Sequence, residues 1–344
     1  MTSPDSDQRF HSNPELLVPI EGDFAGKDIL SMSQFSRRSL ERLFDVSGQI
    51  EGYLETDSVP RLLDGAHAAL IFAEPSTRTR GSFGSAVLHL GGYEPLTDPY
   101  LKLFPNIEDP EFDFRILDYK AVLGDGGLIV MRHPQEGAVR KAAEVLRDVA
   151  PKVVVPIINA GDGIGEHPTQ AMLDMYTMKK RFGRLDGLRG VIAGDLKNGR
   201  TLHSLIRGLS CYKGNTVYLL SPQELRLREE ERSVFASLPI SLVEIEDREQ
   251  IPEDANFWYW TRVQKERFKN PEEYEAIKDG MVLTGDLLKM QNNRNMIIMH
   301  PGPVIHEVER STIDLDPRWI YFEQAANGLP VRMALLTLVL GKIK

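Results

Sequence analysis

The sequence holds a single cysteine, Cys211, in 344 residues. That excludes an intramolecular disulfide framework and a structural zinc site built on several thiolates. It also lacks any apolar run near the roughly 20 residues that cross a bilayer. The polar start, Met1 to Asn13, lacks the basic-then-apolar order of a secretory signal. A cytoplasmic location is the expectation. Positive charge is scarce as well: 41 Lys and Arg stand against 50 Asp and Glu, a formal net charge of −9, which disfavours non-specific binding to nucleic acid or to an anionic membrane. Cys211 follows Leu209 and Ser210 in a stretch that reads as helical, where a small buried hydrophobe is the plain reading and no chemical role is assigned.

What is present is an ordinary globular composition, 42% hydrophobic and 26% charged, long enough for two domains of about 100–200 residues each. Residues 1–14 are polar and read as a mobile tail. From Ser31 to Leu54 the apolar positions Phe35, Leu40, Leu43, Phe44 and Val46 recur at helical spacing. Short apolar runs at 68–73, 127–131, 153–158, 190–193, 216–220, 255–260 and 295–299 predict strands, most of them separated by enough chain for a helix. That alternation is the signature of parallel strands with crossovers, so the fold class is α/β: two doubly wound parallel-sheet domains, 15–167 and 183–318. A helix over 168–182 joins them, with Ala171, Met172, Met175, Tyr176 and Met178 as its apolar stripe. A C-terminal helix over 323–344 is expected to return to the first domain.

The string Phe72-Ala-Glu-Pro-Ser-Thr-Arg-Thr-Arg80 is the most informative. Ser76, Thr77 and Thr79 sit where a helix starts after a strand, and a helix start offers unbonded N–H groups and the positive end of the dipole to a phosphate. Arg78 adds a planar cation suited to two phosphate oxygens. An ordinary cap beside a surface arginine is the bland alternative. Arg132 stands at the carboxyl end of the strand ending at Met131, where α/β sheets bind ligands; a structural role is open for His133. His167 and Gln170 follow a glycine-rich strand end, and for His167 a ligand-facing and a structural role are evenly matched.

In the second half, Val191 to His203 reads as a strand, a glycine turn and a helix start. It lacks the G-x-G-x-x-G spacing of a dinucleotide site, and it makes Arg200 a candidate anion binder. Arg262 and Gln264 lie just past another strand at i, i+2 spacing, on one side of an extended segment; a solvated charged patch is the alternative. His300-Pro-Gly-Pro303 offers carbonyls that its prolines cannot tie into a ladder, a plain turn being the alternative. A bond before either proline is a candidate cis peptide. Together these strings suggest a phosphorylated small molecule on the first domain and an acidic one on the second, facing one cleft.

This combination resembles the aspartate and ornithine carbamoyltransferase family. The strings Arg132-His-Pro-Gln-Glu-Gly137, His167-Pro-Thr-Gln170, Gly194 to Ser204 and Thr261 to Arg267 are similar to its aspartate branch. The resemblance implies transfer of a carbamoyl group from carbamoyl phosphate to the amine of L-aspartate, an early step of pyrimidine synthesis, with no cofactor and no metal. It implies phosphate contacts from Ser76, Thr77, Arg78 and Thr79. Thr79, Arg132 and His167 would surround the carbonyl oxygen as the catalytic residues. The carbamoyl amide would meet Gln170 and the backbone carbonyls of Pro301 and Gly302, and the aspartate carboxylates would meet Arg200, Arg262 and Gln264. Glu74 and Arg267 are similar to residues that steady the closed domain arrangement. A homotrimer with active sites between subunits is implied. A regulatory chain or a dihydroorotase is a partner that the sequence leaves open.

The resemblance breaks between Gly92 and Gly124. There the family usually takes a serine and a lysine from a neighbouring subunit, within a Lys-Gly-Glu-Thr type string. This chain reads Tyr100-Leu-Lys-Leu-Phe-Pro-Asn-Ile-Glu-Asp-Pro-Glu-Phe-Asp-Phe-Arg115. Counting back from Arg132 sets Glu111 near the lysine position, and Lys102 and Arg115 are the cations of the stretch. A catalytically weak homologue with a structural role, and transfer to a different amino acceptor, are the competing expectations. A smaller departure is Gly302, where leucine is usual.

Overall fold

The computed structural model describes residues 17–94, 104–149, 152–265, 268 and 270–343. The tail expected at 1–14, Lys102 and Arg267 lie outside the described residues. The chain divides into two compact units, one running to Met172 and resuming at Asn327, the other spanning Leu173–Ala326.

The first unit opens with helix α1 (Arg37–Glu55), capped by Ser36, whose hydroxyl accepts from the Ser39 N–H. There follow β1 (Ala68–Phe72), α2 (Thr77–His89), α3 (Pro110–Leu123), β2 (Leu128–His133), α4 (Ala138–Asp148), β3 (Ile157–Asp162) and the start of α5 (Pro168–Phe182). The three strands pair in parallel in the order β1-β2-β3. Their near-continuous burial is what a sheet covered on both faces requires. On one side Ile71, Ile129 and Met131 pack with Phe112 and Ile116 of α3 and Val139 and Ala142 of α4.

The second unit contains the remainder of α5, then β4 (Arg189–Ala193), α6 (Arg200–Ser210), β5 (Thr216–Leu220), α7 (Glu229–Ala236), β6 (Ser241–Ile245), β7 (Phe257–Trp260), α8 (Pro271–Lys278), α9 (Gly285–Lys289), β8 (Ile297–Met299), α10 (Arg310–Ile313) and α11 (Tyr321–Ala326). Its parallel sheet runs β6-β5-β4-β7-β8. Strand order reverses beside β4, the switch point at which doubly wound sheets open a crevice at their carboxyl ends. Trp258, Trp260, Val191 and Ile298 centre the core. The chain then returns to the first unit as α12 (Gly328–Val339), which packs on α1 and α2. There the buried Arg332 donates to Ser82 Oγ at 2.9 Å and lies over the Phe83 ring.

Three expectations about elements change. The strand expected at 153–158 runs Ile157–Asp162 instead, because Pro156 has no N–H for a ladder and the pairing begins after it. β6, unanticipated, is an edge strand with only Ile245 buried, so it carries no apolar run to betray it. The single helix expected at 323–344 is two helices separated by Asn327. Pro330 cannot bond to the Ala326 carbonyl and fits only the first turn of a new helix. Cys211 caps the C-terminus of α6, and burial pushes its thiol up to about 11.

Candidate active site

Parallel register gathers the first unit's residues at one sheet edge. Phe72, the last residue of β1, is paired with Arg132 near the end of β2, and His133 is paired with Asp162 at the end of β3. The segments leaving these strands are therefore neighbours. Past β1, Ser76 is the N-cap of α2, yet its side chain makes no capping hydrogen bond. Thr77, Arg78 and Thr79 form the first turn: Thr77 is exposed, Arg78 half-buried and Thr79 buried. This is the helix start at which unbonded N–H groups and the dipole favour an anion.

Arg132 is fixed from two sides. Its guanidinium lies 2.8 Å from Glu74 Oε2 and donates to the Ala160 carbonyl at 3.3 Å. His133 points away from this edge. Its ring meets Phe104 and Phe112 edge-on, Nδ1 accepts the Gln135 N–H, and burial pushes its pKa down. It is a structural residue. His167 and Gln170 are both buried at the start of α5, with His167 Nδ1 3.4 Å from Thr169 Oγ1.

Sequence reasoning missed the clasp behind these groups. Asp162 accepts the Glu166 N–H at 2.8 Å and the Gly137 N–H at 3.2 Å, joining the loop after β3 to the loop after β2. Burial raises its carboxyl to about 7 against the opposing hydrogen bonds. Glu166 in turn accepts from the Ser31 hydroxyl and from the Met32 N–H at 3.0 Å. Gly163 has φ +52°, and a Cβ there would stand 2.6 Å from the Glu136 nitrogen, so only glycine lets the two loops touch. The signal was the Gly161-Asp-Gly163 string.

In the second unit β4, β7 and β8 are adjacent, so the segments after them share an edge. Arg200 begins α6 and is half-buried. Gly194 has φ +116°, and a Cβ there would lie 2.2 Å from the Thr261 carbonyl oxygen. This contact draws the segment holding Arg200 against the one holding Arg262 and Gln264. Asp195, buried and missed by sequence reasoning, laces them further: it accepts from Asn198 N and Nδ2 and, at 3.4 Å, from Gln264 N. Burial raises its pKa against those bonds from Asn198 and Gln264. Gln264 Nε2 donates to the Asn198 carbonyl at 2.9 Å, and Arg262 is half-buried. After β8, Pro301 and Gly302 are half-buried, and the Gly302–Pro303 bond is cis.

Two family models cover nearly the whole chain: the carbamoyl-phosphate-binding domain of aspartate/ornithine carbamoyltransferase over residues 27–180, and the Asp/Orn-binding domain over 186–339. The chain belongs to this family. The aspartate carbamoyltransferase catalytic subunit of Staphylothermus marinus is 43% identical over 322 residues, covering 92% of this chain and 98% of that one. A multifunctional protein of Dictyostelium discoideum is 40% identical over 93% of this chain, which spans 14% of its length. Among solved structures, aspartate transcarbamoylase from Trypanosoma cruzi in complex with carbamoyl phosphate has a TM-score of 0.81 at 30% identity, covering 95% of this chain and 99% of that one.

The stretch before β2, where the resemblance is expected to break, is held within its own unit. Glu111 lies in the first turn of α3, exposed, behind the N-cap Asp109 and paired with Arg115 at 2.8 Å. The Arg115 guanidinium also lies over the Phe104 ring. Ile107 N donates to Gln135 Oε1 at 3.1 Å. The described part of this stretch is thus bound to the chain's own β2–α4 segment.

Proposed function

We propose that this chain is an aspartate carbamoyltransferase, converting carbamoyl phosphate and L-aspartate to N-carbamoyl-L-aspartate and phosphate. The observation that carries the reading is the pairing of Phe72 with Arg132, which sets a helix start rich in hydroxyls beside a guanidinium at one sheet edge. Ser76, Thr77, Arg78 and Thr79 bind the phosphate, and Arg132 spans phosphate and carbonyl. The uncharged amine of aspartate attacks the carbamoyl carbon and charge grows on the carbonyl oxygen. Thr79, Arg132 and His167 donate to that oxygen; one such fixed donor contributes about 3–4 kcal/mol. The C–O bond to phosphate breaks, and the departing phosphate takes the amine's proton. Gln170 and the Pro301 and Gly302 carbonyls hold the carbamoyl amide, and Arg200, Arg262 and Gln264 hold the aspartate carboxylates. Fixing both anions replaces a bimolecular encounter with an oriented one. Glu74 holds the guanidinium of Arg132 in place for its contact with the carbonyl oxygen.

The reading extends to a cytoplasmic homotrimer whose sites are completed by neighbours, with a regulatory chain or a dihydroorotase as a further partner. Light scattering and co-purification test these. Phosphate release with and without aspartate tests the chemistry, and Arg78→Ala is expected to abolish it; no turnover by assembled protein rejects the reading. Glu111, an acid near the position of the family's loop lysine, favours a second reading, a weakly active homologue with a structural role. Carbamoyl phosphate binding without turnover supports that one, and comparison of aspartate with other amino acids tests a different acceptor.

A further inference from the structure

Behind the Pro301–Gly302 carbonyls lies a buried polar chain that the chemistry above does not use. His300 and Glu307 are each 1% exposed, and His300 Nε2 sits 3.0 Å from Glu307 Oε1, at an angle short of ideal hydrogen-bond geometry. The other imidazole nitrogen, Nδ1, accepts the Gly302 N–H at 2.8 Å. A neutral imidazole that accepts at Nδ1 carries its proton on Nε2, facing the carboxylate. Glu307 also accepts the N–H groups of Ile305 and His306 at 3.1 Å, so both its oxygens are engaged. Burial alone would raise its pKa, but His300 and the Ile305 N–H help hold it below the usual range.

The other end of His300 is fixed as firmly. Its N–H donates to Gln324 Oε1 at 2.9 Å, Gln324 Nε2 donates to Asp174 at 2.6 Å, and Asp174 accepts the Tyr259 hydroxyl at 2.8 Å. Trp319 and Tyr321, stacked on each other, each meet the imidazole edge-on. The imidazole therefore has one orientation, and so does the Gly302 peptide that bonds to it.

We propose that Glu307 is a positioning residue: through His300 it sets the tautomer that receives the Gly302 N–H, and so aims the Pro301 and Gly302 carbonyls at an amide NH2 group. This rests on the carbamoyltransferase reading. In Glu307→Gln one face of the side chain becomes a donor. Turned toward His300, it demands the opposite tautomer, whose Nδ1–H would confront the Gly302 N–H. Turned the other way, it confronts the Ile305 or His306 N–H. Acetyl phosphate is the discriminating probe, since it keeps phosphate and carbonyl but carries a methyl in place of the amide.

Calorimetric titration of the intact protein with carbamoyl phosphate, acetyl phosphate and inorganic phosphate tests the inference. Glu307→Gln is expected to weaken carbamoyl phosphate about tenfold, the scale of one lost hydrogen bond, while the other two ligands bind as before. Equal weakening of carbamoyl and acetyl phosphate, or no weakening of either, overturns the inference and leaves the functional reading intact. Failure of the unaltered protein to bind carbamoyl phosphate overturns both. Glu307→Asp keeps the charge and shortens the reach, and it carries the same comparison if the glutamine variant does not fold.

Discussion

The carboxylate of Glu74 stands 2.8 Å from the guanidinium of Arg132, both only partly exposed. An arginine held this way meets a growing oxyanion without reorganising, which is where fixed donors gain their catalytic advantage. Arg132→Ala is expected to lower kcat about 10²–10³-fold, the usual loss for one such donor. Glu74→Gln keeps the shape but not the charge and should lose less, about tenfold, because the Ala160 carbonyl still orients Arg132. Steady-state phosphate release with aspartate saturating checks both; equal losses would mean that Glu74 does more than orient.

Asp162 gives stability a pH dependence whose sign follows from the burial of its carboxyl. Its carboxyl is raised from 3.8 to about 7, so between those values the folded state holds a proton that the unfolded state has lost. The contribution is full below about pH 4 and is lost as pH rises through 7. Relative to Asp162→Asn, which cannot titrate there, the wild type should lose about 2 kcal/mol of unfolding free energy between pH 5 and pH 7. Urea unfolding across that range measures it. A difference that stays constant with pH would show the carboxyl to be ionised throughout.

Gly194 lets the second unit's segments be tested apart from the first unit's helix start. A Cβ there would press 2.2 Å from the Thr261 carbonyl at φ +116°, forcing apart the segments that carry Arg200 and Arg262. Gly194→Ala is expected to raise the KM for aspartate at least tenfold and to cost about 1–3 kcal/mol of stability from strain. Binding of inorganic phosphate to the first unit's helix start should not change. Loss of phosphate binding as well would mark general unfolding instead.

These cases show what the sequence discloses and why. Strand ends and helix starts were legible because apolar runs, glycines and hydroxyl caps are local signals, so Ser76 to Thr79, Arg132, Arg200 and His300 to Pro303 could be named from the string alone. Glu166, Asp195 and Glu307 could not, and for Asp162 the string offered only its flanking glycines. Each is an isolated acid whose role depends on groups brought to it by folding: Ser31 reaches Glu166 from 135 positions away, and Gln264 reaches Asp195 from 69. The same limit applies to β6, whose residues are mostly exposed, and to the break at Asn327, where a single proline outweighs helical periodicity. His133 is the converse case. It shares a motif with Arg132, but strand alternation sends its side chain to the opposite face, where Phe104 and Phe112 enclose it.

Glu111 offers the sharpest test of the atypical loop. Its pairing with Arg115 at i, i+4 leaves the Glu111 carboxylate half in solvent, so the pair itself contributes a few tenths of a kcal/mol. An acid in the first turn of α3 gains about as much again from the helix dipole. Glu111→Lys therefore costs about 1 kcal/mol at most, too little to unfold the chain. If position 111 of a neighbouring copy approaches the phosphate held by Ser76 to Thr79, exchanging an anion for a cation there replaces repulsion with attraction. Turnover at subsaturating carbamoyl phosphate is then expected to rise about tenfold, and the rise should shrink at high salt as screening weakens the interaction. Unchanged turnover, with stability preserved, would mean that position 111 stays with its own subunit and that the site works without a loop lysine.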